Sequence, residues 1–123
     1  MKNKNNHLNE NYLERIPMRS EYLDWSEEAD GIVSLHIENT GIFNRIAQKL
    51  FKKPRITHIH LDELGSFVWP LIDGEKTILD IGTPVKEHFG DKAEPLYPRL
   101  AQFFRILDSY HFIQWKDIAN NNQ

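Results

Sequence analysis

The chain predicts an α+β fold, in which a small antiparallel sheet precedes three helices in the manner of a winged helix-turn-helix. Three observations carry this expectation. Residues 32–37 and 55–61 alternate apolar and polar side chains, as half-buried strands do. From residue 62 to residue 110 the pattern changes to helical spacing, with three successive apolar stripes. Residues 111–115 close the chain as a further extended segment. Strands first and helices afterwards is the order of an α+β fold rather than of βαβ units.

The 123 residues suffice for one modest domain. Residues 1–11 are polar and Asn-rich and are expected to be a disordered tail, as are residues 119–123. Residues 12–118 then form a single domain. The net charge of -3 weighs against a nucleic-acid partner, because phosphate contacts need clustered Lys and Arg. The absence of cysteine excludes disulfides, Cys-ligated zinc and thiol catalysis within these residues. The first residues lack the apolar core of a secretory signal. No apolar run approaches the roughly 20 residues that span a bilayer. The expectation is a cytoplasmic protein with no membrane span.

Residues 22–26 are a short strand candidate. Asp30-Gly31 supplies hairpin turn chemistry between it and residues 32–37. In that second strand Val33, Leu35 and Ile37 share one face, and Ser34 and His36 the other. In residues 55–61, Thr57, Ile59 and Leu61 lie on one face and Ile56, His58 and His60 on the opposite one. Between these strands residues 41–54 carry Ile42, Phe43, Ile46, Ala47 and Leu50 at helical spacing. Arg45, Lys49, Lys52 and Lys53 occupy other positions, and Pro54 stops this basic amphipathic helix.

Asp62 is the expected N-cap of the first of the three later helices, whose stripe is Leu64, Phe67, Val68, Leu71 and Ile72. Pro70 bends or ends it early, and Asp73-Gly74 turns the chain. Thr77 caps the next helix, striped by Ile78, Ile81, Val85 and Phe89 and stopped at Gly90. Gly82 and Pro84 argue against a straight helix there. The last helix runs over residues 94–110 with Pro95 and Pro98 in its first turn. Leu96, Leu100, Phe103 and Leu107 form its main stripe, and Ala101 and Phe104 sit off it. Trp25 and Trp115, both in extended segments, are expected to pair across the sheet.

Leu61-Asp62, Gly65, Val68-Trp69, Leu71-Ile72-Asp73-Gly74, Thr77-Ile78 and the ending from Leu107 through His111 to Ile113 resemble the pattern of the PqqD-like family. One departure is His111, where that pattern has glycine, which implies a left-handed backbone there. Another is the basic helix 41–54, in place of a tight turn. The resemblance implies a non-catalytic, cofactor-free and metal-free peptide-binding module, a peptide chaperone. It would bind the leader of a ribosomally made precursor by strand addition and present it to a maturation enzyme, typically a radical SAM enzyme. Mapped onto this chain, the strand edge uses Ile56, Thr57, His58, Ile59 and His60. Tyr97, Ala101, Phe104 and Asp108 would form the wall of a groove beside the last helix. The resemblance does not say whether the peptide is the PQQ precursor or another, nor whether the protein is a monomer or a homodimer.

Two other readings compete. His58, His60 and Asp62 alternate along an extended segment and could bind a metal. Asp62 is better used as a helix cap, and the further ligands of a binuclear hydrolase do not follow. A winged helix-turn-helix could bind DNA, but the last helix offers only Arg99, Gln102 and Arg105 against Glu94, Asp108 and several aromatics.

Overall fold

The computed structural model describes residues 12–39 and 55–116. Residues 41–54, with the expected basic helix, and both expected tails lie outside them. The chain divides into two compact units, Met1–Ser20 with Phe67–Gln123, and Glu21–Ser66. The α+β class holds; the finer likeness to a winged helix-turn-helix is not confirmed.

The second unit is a three-stranded antiparallel sheet in the order β2 (Asp24–Glu27), β3 (Val33–Asn39), β4 (Arg55–His60). The Asp30-Gly31 turn joins β2 to β3 as its chemistry predicts. Gly31 takes φ +87° and Asp30 Oδ1 accepts the N–H of Ile32 at 3.1 Å. Val33 and Leu35 are fully buried. Ser34 is buried too, against the simple alternation, between its register neighbours Ser26 on β2 and His60 on β4. Ser66 ties the start of β3 to the end of β4. Its Oγ accepts the Val33 N–H at 2.8 Å and donates to the Leu61 carbonyl at 3.2 Å.

Asp62 caps α1 (Glu63–Val68) through Oδ1, which accepts the Gly65 N–H at 2.7 Å. Pro70 falls in a 3-10 turn, Trp69–Leu71, that follows directly. Arg19 Nη1 donates to the carbonyls of Trp69, Pro70 and Ile72 at 3.3, 3.2 and 2.8 Å, satisfying acceptors that the ended helix leaves open. Asp73 shapes the next turn by accepting the N–H groups of Glu75 and Lys76. The Lys76 ammonium at 2.7 Å, with those backbone donors, holds the Asp73 carboxyl down at about 2.

Thr77 and Asp80 form a reciprocal capping box on α2 (Ile78–Phe89). The helix runs through Gly82 and Pro84 and ends at Gly90, φ +60°. Gly82 has a packing reason: a Cβ there would lie 2.6 Å from Cε1 of Tyr97 on α3 (Leu96–Ser109). On α3 the buried stripe is Leu96, Leu100, Ala101, Phe104 and Leu107. Ala101 and Phe104 thus belong to the core, and Phe103 is only half-buried. Trp69 is buried completely.

The last segment forms β5 (Ile113–Trp115), paired antiparallel with β1 (Pro17–Arg19) in a separate two-stranded sheet. Trp115 therefore does not pair with Trp25, which faces Leu35 across β2 and β3. Trp115 instead meets Tyr12 edge-on at 5.4 Å and lies 4.1 Å from the Arg15 guanidinium.

The left-handed residue expected at the end of α3 is present: His111 has φ +64°. The Phe112 N–H reaches the Leu107 carbonyl at 2.9 Å and the His111 N–H reaches that of Asp108 at 3.0 Å, the paired bonds of a Schellman cap. A side chain in this conformation costs roughly 1 kcal/mol that glycine avoids. His111→Gly is therefore expected to raise stability by about 1 kcal/mol, or about 4–8 °C in melting temperature for a domain of this size. Thermal unfolding followed by circular dichroism checks it.

Candidate functional site

Which backbone groups β4 presents outward follows from two hydrogen bonds. Leu61 N–H donates to the Val33 carbonyl at 2.9 Å, one step beyond the Ser34–His60 pair of the register. Antiparallel ladders alternate hydrogen-bonded and non-hydrogen-bonded pairs. Leu35–Ile59 and Ile37–Thr57 are therefore hydrogen-bonded pairs, whereas His36–His58 and Glu38–Ile56 are not. The opposite side of β3 agrees. Glu28 N–H donates to the Ile32 carbonyl at 2.9 Å, so the even-numbered residues of β3 turn their backbone groups toward β2. On β4, Thr57 and Ile59 bond inward to β3. Ile56, His58 and His60 turn N–H and C=O away from it.

Among the described residues β4 pairs only with β3 and so forms an edge of the sheet. Ile56, Thr57, His58, Ile59 and His60 are all exposed, and Ile56 and Ile59 are apolar at 52% and 37% exposure. The His36 and His58 rings meet edge to face at 4.8 Å, and Ser26 Oγ lies 3.1 Å from His36 Nε2. His58 is thus engaged with His36, and Asp62 is used as a cap. Among the described residues no three His, Asp or Glu are grouped to hold a metal.

The four expected groove residues of α3 fare differently. Ala101 is 4% exposed and Phe104 is fully buried. Tyr97 is half-buried with its ring against Gly82. Asp108 is half-buried, and its charge, after burial itself, helps push the Tyr12 hydroxyl up to about 12. The apolar surface that α3 does expose comes from Ile106 at 47%, with Tyr110 at 64% just past its end and stacked on Phe112. Sequence reasoning passed over this pair. Its signal was the i, i+4 spacing of Ile106 and Tyr110, offset from the core stripe.

Within the described residues no helix is long and apolar enough to cross a membrane. Among the described residues the architecture is α+β, with two small antiparallel sheets and the helices α1 to α3. The chain belongs to the family of coenzyme PQQ synthesis protein D (PqqD), whose family model matches residues 32–113, two-thirds of its length. The match starts just before β3 and ends in β5, leaving β1 and β2 outside. Neither a curated protein nor a solved structure matches the chain significantly.

Proposed function

We propose that this protein is a non-catalytic recognition module for the leader of a ribosomally made precursor peptide, which it presents to a separate maturation enzyme of the radical SAM type. Family membership supports an accessory role in synthesis of coenzyme PQQ or of a similarly modified peptide. The observation that carries the reading is the edge strand β4, with the backbone groups of Ile56, His58 and His60 directed away from β3. An extended peptide added there gains main-chain hydrogen bonds and places alternate side chains on the two faces of the sheet. Its apolar side chains would use Ile59 on the sheet. Nothing favours the DNA-binding reading. Arg99 donates to the Lys92 carbonyl at 2.8 Å, and Arg105 lies over the Tyr12 ring at 4.9 Å.

Calorimetric titration with leader peptides encoded beside the gene tests the proposal. Binding is expected to be one-to-one. His58→Pro removes a single outward N–H and leaves the β3 ladder in place, so it should weaken binding about tenfold or more while the melting temperature holds. Ile59→Pro removes an inward N–H and should disrupt the sheet itself. Absence of affinity for every such leader would overturn the reading.

A further inference from the structure

We infer that the strand accepted by this edge is amphipathic with a fixed phase: apolar side chains on the Ile59 face, alternating with carboxylates on the His58 and His60 face. The inference rests on the strand-addition reading and names the class of peptide that the edge takes.

Strand alternation and register sort the sheet into two faces. One carries Trp25, Val33, Leu35, Ile37, Thr57 and Ile59. It contains the fully buried Val33 and Leu35, and Ile59 continues this apolar surface to the edge, where it is 37% exposed. The other face carries Asp24, Ser26, Ser34, His36, Glu38, Ile56, His58 and His60. A strand added to β4 extends both faces by one row. Its residues opposite His58 and His60 share the histidine face, within the reach of cross-strand pairs, and the residues between them fall beside Ile59.

Charge selects what sits in the histidine row. Imidazoles gain positive charge as pH falls from about 8 to about 6. The His36 and His58 rings meet edge to face at 4.8 Å, and His60 follows on the same face. A carboxylate on the added strand accepts hydrogen bonds from ring N–H groups in this row, and such bonds are stronger when charge-assisted. The other charged groups on this face, among the described residues, are Asp24 and Glu38. Asp24 lies opposite His36, on the strand farthest from the edge, and Glu38 lies opposite Ile56. Glu38 disfavours a carboxylate at the Ile56 end, so the acidic positions belong at the His58–His60 end.

The test is selection of displayed random peptides on the full chain at about pH 6 and about pH 8, with His58→Gln/His60→Gln as the control protein. Peptides enriched at the lower pH should alternate apolar and acidic residues. They should bind at least about fivefold more tightly there than at the higher pH, and lose that dependence on the double variant. Peptides that bind an edge sensitive to His58→Pro, with no acidic alternation or with the same pH profile on the double variant, would overturn the inference and leave strand addition standing. No enrichment at either pH would overturn both. A dimer formed through β4 that no selected peptide displaces would likewise overturn the inference.

Discussion

Phe104→Ala is expected to destabilise the protein by about 3–5 kcal/mol, the range for emptying a fully buried aromatic site. Phe104 has no exposed surface and packs near Phe103 and Trp115, with ring centres at 5.5 and 6.5 Å. Leu100, Ala101 and Leu107 of the same helix are equally committed to the interior, so little can move in to fill the void. A domain of this size has about 5–15 kcal/mol in all, and the loss takes a large share of it. Urea unfolding gives the number directly. A cost under about 1 kcal/mol would show that α3 does not seat this face as described. The same expectation governs how binding data are read. Lost affinity in Phe104→Ala would report a damaged core, whereas Ile106→Ala and Tyr110→Ala probe the exposed surface without emptying a buried site.

Gly82→Ala should destabilise by about 1–3 kcal/mol, although alanine is the better helix former by about 1 kcal/mol. The added methyl would start 2.6 Å from the Tyr97 ring, inside any allowed contact, and Tyr97 is half-buried against α2. Overpacking therefore outweighs propensity. The sign should reverse when the ring is removed: in a Tyr97→Ala background, Gly82→Ala should stabilise by up to about 1 kcal/mol. A double-mutant cycle by chemical denaturation measures both arms. A stabilising Gly82→Ala in the unaltered protein would mean that the ring swings aside at little cost.

Local chemistry made much of this fold legible. Asp62, Thr77 and Asp30-Gly31 act through neighbours within three residues, and each does what its residue type predicts. His111 was readable because a helix ending at that point needs a left-handed residue. What escaped depends on distant partners. β1 is three residues long, opens on proline and shows no alternation; it exists because β5, nearly a hundred residues later, pairs with it. Ser66 and Arg19 look ordinary in sequence, and their roles come from backbone groups far along the chain. On α3 the error was one of phase. Phe103 and Phe104 are adjacent, and periodicity alone does not decide which faces inward. The edge strand was visible in its alternation, but the direction of its backbone groups needed the register.

The β1–β5 pair has a consequence for how such a domain can be combined with others. Pro17 and Trp115 are register partners, so the first and last described strands lie side by side. A domain whose first and last strands adjoin can be spliced into a surface loop of a larger protein without straining either partner. Carried that way, any binding module is held at high local concentration beside the protein that hosts it, and their encounter no longer depends on diffusion.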